Sequence, residues 1–260
     1  MSSNAQTWRT AIAEVRKDDV LVRGHLLSDL LGKVTFTEMI YLDIVGRMPT
    51  TEELRVLDTI LVSLVEHGIS PSSVISRMLA SCGTPSQAAI AGGALSIADW
   101  HGGAGQQAGA LLARLAGVLG PTPTDEEVAS EVSTVVDTYL RSGQRFEGFG
   151  HPQHPEGDPR AMALFDVAAR EGTSGLHCRL MRSLGEEISR RRGRPLPVNV
   201  NGAIAAVLLD LGFAEVTVRG LVIGARVFGL TAHVAEELDQ GGRWRHVDAD
   251  AVEYTGPVPD

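Results

Sequence analysis

The residues able to do chemistry gather in a few short stretches. In "EGFGHPQHPEGDPRA", residues 147–161, His151 and His154 lie three apart in a Pro- and Gly-rich segment that ends with Arg160 and Ala161. Histidines bind metals and move protons near neutral pH. Pro152 and Pro155, however, forbid the regular helix that usually sets metal-ligand spacing. Taken alone, the segment reads more readily as a surface turn than as a metal site, and no metal is expected. His67 and His101 lie beside apolar segments, where a histidine is either a catalyst or a satisfied core or cap group.

Two arginines are more suggestive. Asp158 and Pro159 read as the N-cap and first residue of a helix, which puts Arg160 in its first turn. There its charge adds to free backbone N–H groups and makes a site for a carboxylate or phosphate. Arg226 falls inside the apolar run "LVIGARVFGLTAH" and needs a partner if buried, either a bound anion or an Asp or Glu of the same protein. The run Arg190, Arg191, Arg192 and Arg194 suits nucleotide-like phosphates or, more commonly, a solvated helix end. "GFGHPQ" lacks the third glycine of a dinucleotide fingerprint, and the sequence holds no P-loop, GxSxG or HExxH motif.

The elements that must position these residues are helices. Leu54, Leu57, Ile60, Leu61, Leu64 and Val65 share one helical face, opened by the capping-box pair Thr50 and Glu53 and stopped near Gly68. Thr124 and Glu127 open a second helix with a stripe of Val128, Val132, Val135 and Tyr139, closed by Gly143. A third begins at Pro159, with Met162, Phe165 and Ala169 expected toward a core. Three further helices fall in 173–193, 201–212 and 216–239, the last two apolar enough to be largely buried. "GPTPTD" at 120–125 reads as a connector, the glycines around 92–117 suit close helix packing, and alternating strands are nearly absent.

With 260 residues and 43% hydrophobic content, the chain can bury one substantial core or two modest ones. A net charge of -9 argues against a general nucleic-acid binder, which needs a broad basic face. Cys82 and Cys178 are too few for a disulfide framework or a zinc site and are expected to be buried thiols. No secretory h-region or run of about 20 apolar residues is evident, so no membrane partner and a cytoplasmic location are expected.

From about residue 20 to residue 256, these segments follow the order of the citrate synthase superfamily, which the chain resembles. "RGHLLSDLLGKVTFTEMIYLDIVGRMPTTEEL" is similar to its N-terminal block, and "EHG", "HGGA" and "GFGHPQHPEGDPRA" to its three histidine regions. "PVNVNGA" is similar to the block that normally reads Asn-Val-Asp, and "IGARVFGLTAH" with "YTG" to the closing segment. The short length and "NVNGAIAAVLLDLG" look most like the citryl-CoA lyase module found alone or at the end of ATP-citrate lyase.

The resemblance implies an all-α, two-domain fold with the site in the cleft, and a homodimer. The small domain would span 101–201, with the large domain formed by 1–100 and 202–260. It also implies carbon–carbon bond making or breaking between a CoA thioester and a 2-oxo acid, typically acetyl-CoA and oxaloacetate, with small molecules as partners and no permanently bound cofactor. His101 matches the group that hydrogen-bonds the thioester carbonyl and its enol, and His151 the one that handles the proton on the ketone or alcohol oxygen. His67, Arg160 and Arg226 match substrate-carboxylate ligands, and the Gly148-Phe149-Gly150 backbone lies where the family binds CoA.

Three departures stand out. Asn201 occupies the place of the family's catalytic Asp, and an amide cannot serve as a carboxylate base or acid. Pro152 replaces a common Arg, and "RHVDADAVE" lacks the arginine that synthases lend to the neighbouring subunit, which implies fewer or rearranged substrate carboxylates. Besides a citryl-CoA lyase-like enzyme, an aldol-type enzyme for another 2-oxo acid and a non-catalytic CoA-binding homologue are therefore open readings.

Overall fold

The computed structural model describes residues 8–150 and 157–259. Contact packing divides the chain into two compact units, Met1–Leu61 with Ala104–Gly220, and Val62–Gly103 with Leu221–Asp260. From residue 104 onward, the expected small domain 101–201 lies within the first.

Eleven α-helices are present among the described residues. The first unit opens with a small antiparallel sheet of β1 (Ala13–Val15), β2 (Val20–Val22) and β3 (His25–Leu26), paired in that order. Strands of two or three residues are too short to show alternation, so no periodicity in the sequence marks them. Helices α1 (Leu27–Leu30) and α2 (Phe36–Val45) follow, with Thr35 and Glu38 forming a reciprocal cap on α2.

The centre of this unit is α10 (Val200–Asp210), where Ala203 through Leu208 are all fully buried. A helix apolar on every side must be enclosed, and α6 (Ala104–Leu119), α8 (Pro159–Arg170) and α9 (Leu176–Arg192) surround it. Helix α7 (Asp125–Ser142) packs on α9 and carries the expected Thr124–Glu127 cap, buried Val128, Val132 and Val135, and left-handed Gly143. The hydroxyl of buried Tyr41 in α2 donates to the Leu211 carbonyl at 2.7 Å, tying α2 to the end of α10.

The expected phase of α8 needs correction. Met162 and Ala169 face solvent, while Ala161, Leu164, Phe165 and Ala168 form the buried stripe, the set that falls on one face at 3.6 residues per turn. Cys178 is buried as expected, but Cys82 is exposed in the turn after α4 (Pro71–Ser81), where Gly83 adopts a left-handed φ of +83°.

In the second unit α4 packs closely on α5 (Ser86–Leu95), and Ala80 and Ala89 meet Val234 of α11 (Val218–Asp239). A Cβ on Gly93 would press on the Ser72 carbonyl at 2.6 Å, so glycine permits this approach. Arg77 of α4 bonds Glu236 and, at 2.7 Å, the fully buried Glu237. Helix α11 is long and apolar enough, by length and composition alone, to cross a membrane; it nevertheless carries Arg226 and Glu237, both buried and ion-paired. Helix α3 (Thr51–Val65) has the Thr50–Glu53 reciprocal cap and ends before Glu66, so the left-handed Gly68 lies three residues beyond the helix rather than at its end.

The tightest backbone approach in the first unit is between Gly148 and Gly202: a Cβ on Gly202 would overlap the Gly148 carbonyl oxygen. Because the opposing atom is backbone and cannot rotate away, Gly202→Ala should cost about 2–3 kcal/mol of stability in urea unfolding. Parental stability would refute this packing.

Candidate active site

In the second unit the chain leaves α5 and turns through residues 96–103. The N–H groups of His101 and Gly103 both donate to the Ala98 carbonyl, at 2.9 and 3.0 Å, and Gly102 takes a φ of +76°. This turn sets the His101 Nε2 3.0 Å from the hydroxyl of Ser72, a fully buried residue in the first turn of α4. Ser72 in turn lies 3.2 Å from the Ser70 hydroxyl. His67, two residues past the end of α3, presents its ring at 6.5 Å from that of His101, with the planes at 82°.

Arg226 supports the 65–70 turn, which carries His67, from α11. Its Nη1 donates to the Val65 carbonyl at 3.0 Å and pairs with Glu66 Oε2 at 3.0 Å; its Nη2 donates to Ser70 Oγ at 3.2 Å. Glu66 Oε1 accepts from the N–H groups of His67 and Gly68 at 2.9 and 2.6 Å, and His233 Nε2 lies 3.1 Å from its Oε2. Of the two partners open to Arg226 in the sequence, the structure thus shows an acidic side chain of the same protein.

Burial opposes ionisation of Glu66, yet the Gly68 N–H, Arg226 and His233 outweigh it and hold the carboxyl down to about 2. Desolvation, and then the positive charge of Arg226, push both His67 and His101 below the ordinary histidine value. Both rings are therefore neutral at neutral pH, each with one donor and one acceptor nitrogen.

In the first unit Asn199 organises the start of α10. Its side-chain oxygen accepts from the N–H groups of Asn201 and Gly202 at 3.0 and 3.2 Å. Its amide nitrogen donates to the Gly150 carbonyl at 2.9 Å, and its backbone N–H to the Gly148 carbonyl at 2.9 Å. With Gly150 N–H donating to Pro197 at 2.8 Å, the 148–150 segment is stitched to 197–199. Phe149 is buried and its ring packs toward Gly185 of α9, so most of the glycine backbone expected to meet CoA is spent within the chain.

Asn201 is half-buried in the first turn of α10, with its carbonyl and Cβ beside Gly105 of α6. Arg160 is in the first turn of α8, but the anion at that helix end is Asp158. Arg160 Nε and Nη2 fork onto its two oxygens at 3.0 Å each, and the N–H groups of Arg160 and Val200 add bonds at 3.1 and 3.0 Å. Burial of Asp158 opposes ionisation, and these donors, Arg160 first, overcome it and lower its pKa.

His151 and His154 lie outside the described residues. Among the described residues no group of three or more His, Cys, Asp or Glu side chains is placed to hold a metal. Arg190 and Arg191 pair with Glu187, and Arg191 also with Asp137, as a solvated helix end does. Arg192 instead joins Arg145, Tyr139, Phe146, Phe149 and Leu196 around a 360 Å³ pocket in which Tyr139 and Phe146 stack at 5.2 Å. Sequence reasoning missed Asn199, Ser72 and this pocket. The buried serines of "SPSSVIS", which need partners, were the available signal for Ser72.

The family model described as citrate synthase, C-terminal domain, matches residues 48–246. A putative citrate synthase 2 of Mycobacterium bovis is 32% identical over 219 residues, 81% of this chain and 54% of that protein. A citrate/2-methylcitrate synthase of Bacillus subtilis is 27% identical over 82% of this chain and 54% of its own. The chain thus spans about half the length of the curated relatives it matches. Among solved structures, citryl-CoA lyase from Hydrogenobacter thermophilus superposes with a TM-score of 0.87 at 35% identity, covering 98% of this chain and 97% of that one. ATP citrate lyase from Methanothrix soehngenii, in complex with citrate and coenzyme A, shares the fold at a TM-score of 0.80 and 21% identity, covering 98% of this chain and 42% of its own.

Because Glu66 has a lowered folded pKa, its pairing stabilises the protein above about pH 4.5 and is lost as pH falls toward 2. Its carboxylate is 44% exposed, so solvent screening limits the contribution to about 1 kcal/mol. Urea unfolding of Glu66→Gln should therefore lose less stability between about pH 6 and pH 3 than the parent does. Identical pH dependence would contradict the pairing.

Proposed function

The chain belongs to the citrate synthase family, and from that premise we propose that it is a citryl-CoA lyase-like enzyme, cleaving or forming a carbon–carbon bond between acetyl-CoA and oxaloacetate. The observation that carries this reading is the likeness to a citryl-CoA lyase over nearly the full length of both chains.

In the cleavage direction a proton leaves the 3-hydroxyl of the acyl-CoA and the carbon–carbon bond breaks. Its electron pair passes into the thioester as an enolate. His101, a neutral imidazole held by buried Ser72, is the donor for that enolate oxygen, an effect typically worth about 3–4 kcal/mol. His151 takes the hydroxyl proton on this reading. The pocket lined by Tyr139, Phe146, Arg145 and Arg192 suits the adenine nucleotide end of CoA, with an aromatic face for the base and, for phosphates, Arg192 beside Arg145, whose Nε lies 3.5 Å from Glu147. Small molecules are its partners, in a cytoplasmic homodimer.

One observation favours a second reading, an aldol-type enzyme for a 2-oxo acid with fewer carboxylates. Arg160 and Arg226, the expected carboxylate ligands, are each already paired with a carboxylate of the chain.

Purified protein given citryl-CoA should release oxaloacetate, followed through a coupled dehydrogenase. Replacing Arg145 and Arg192 by Ala should raise the KM for the CoA ester about tenfold and leave kcat unchanged. No release, with Asn201→Asp equally silent, overturns the citryl assignment.

A further inference from the structure

The surroundings of Arg226 do not fit a substrate ligand. Its side chain is buried, and all four hydrogens of its terminal nitrogens meet acceptors of the chain. Nη1 serves the Val65 carbonyl and Glu66 Oε2, both at 3.0 Å; Nη2 serves the Gly68 carbonyl at 3.4 Å and Ser70 Oγ at 3.2 Å. The remaining N–H, on Nε, is buried without a partner among the described residues. Gly229 holds α11 against this turn, since a Cβ there would overlap the Val65 carbonyl oxygen. No donor is left that a bound acid could reach, so the guanidinium acts on what it already holds.

The bond to Ser70 leads on to a candidate catalytic group. An arginine only donates, so Ser70 Oγ accepts there and its own proton goes elsewhere. Two oxygens are in reach, Ser72 Oγ at 3.2 Å and Ser73 Oγ at 3.4 Å. Ser73 Oγ already accepts from the Ser70 N–H at 2.7 Å, and its own hydroxyl donates to the Ser70 carbonyl at 3.0 Å. The Ser70 proton therefore lies toward Ser72. Ser72, fully buried, then finds its acceptor in His101 Nε2 at 3.0 Å. That nitrogen must be bare, and the neutral ring carries its proton on Nδ1.

We propose that Arg226 is a positioning residue rather than a ligand of the substrate: through Ser70 and Ser72 it fixes the tautomer of His101, so that Nδ1–H is the donor this ring offers to a substrate oxygen. A cation that bonds a hydroxyl oxygen polarises it into a better donor, and successive hydrogen bonds in a buried chain strengthen one another. The opposite polarity would make Ser70 Oγ accept from both Ser72 and the guanidinium and leave its own proton the longer contact to Ser73. What His101 does with its donor rests on the proposed function; the tautomer itself does not.

The tautomer is read without substrate, by long-range proton–nitrogen NMR of the nitrogen-15-labelled full chain at neutral pH, with His101 assigned by its loss in His101→Gln. The parent should carry the His101 proton on Nδ1. Ser70→Gly keeps most of the helix cap but has no hydroxyl, and should lower the ratio of Nδ1–H to Nε2–H forms about tenfold, the worth of one hydrogen bond. Ser70→Thr, which keeps both cap and hydroxyl, should hold the parental ratio. So should Ser73→Ala, which disturbs the same helix start off the path; a merely structural role for Ser70 predicts that it shifts the ratio as Ser70→Gly does. An Nε2–H parent, an unchanged ratio in Ser70→Gly, or an equal shift in Ser73→Ala overturns the relay. With citryl-CoA, Ser70→Gly should lower kcat about tenfold at unchanged KM. A parent that releases no oxaloacetate overturns instead the enzyme reading, which the NMR result does not depend on.

Discussion

The placement of the histidines in the second unit depends on one buried guanidinium. Arg226 is 2% exposed and inside an apolar helix, so it persists only because Glu66, the Val65 carbonyl and Ser70 meet its N–H groups. Those partners all lie in the six-residue turn 65–70 that joins α3 to α4. Satisfying the arginine therefore fixes the turn, and the turn carries His67 at its middle and delivers Ser72 to His101 just beyond it. The pair is one-sided: without Glu66 the buried guanidinium keeps only neutral partners, whereas without Arg226 the 44% exposed carboxylate is still met by water.

The first unit repeats that logic with different residues. Asp158 caps α8, takes the Arg160 fork and accepts from Val200 at the start of α10. Asn199 caps α10 and holds the 148–150 segment. Two side chains thus align two helix starts and one loop around Asn201. In both units the arginine expected to meet a substrate carries a carboxylate of the chain as its counter-ion.

Much of this was legible in the sequence because it is local. Capping boxes at Thr50 and Thr124, the Asp158-Pro159 helix start and the burial of α10 follow from spacing within a few residues. The family was legible because its motifs keep their order along the chain. The partners of Arg226, the role of Ser72 and the stitching of Gly148 to Asn199 were not, since each joins residues far apart in sequence whose types occur at many other positions. The phase of α8 was misread because Met162 is apolar yet sits one position beyond Ala161 in the buried stripe.

The central claim, that this chain joins or parts carbon between a CoA thioester and a 2-oxo acid, is tested most directly with acetyl-CoA labelled with carbon-13 at the methyl. Incubated with the protein and a panel of 2-oxo acids, the labelled carbon should appear, by NMR, bonded to the former keto carbon of one of them. Label that stays in acetyl-CoA, or emerges only as free acetate, would contradict the claim.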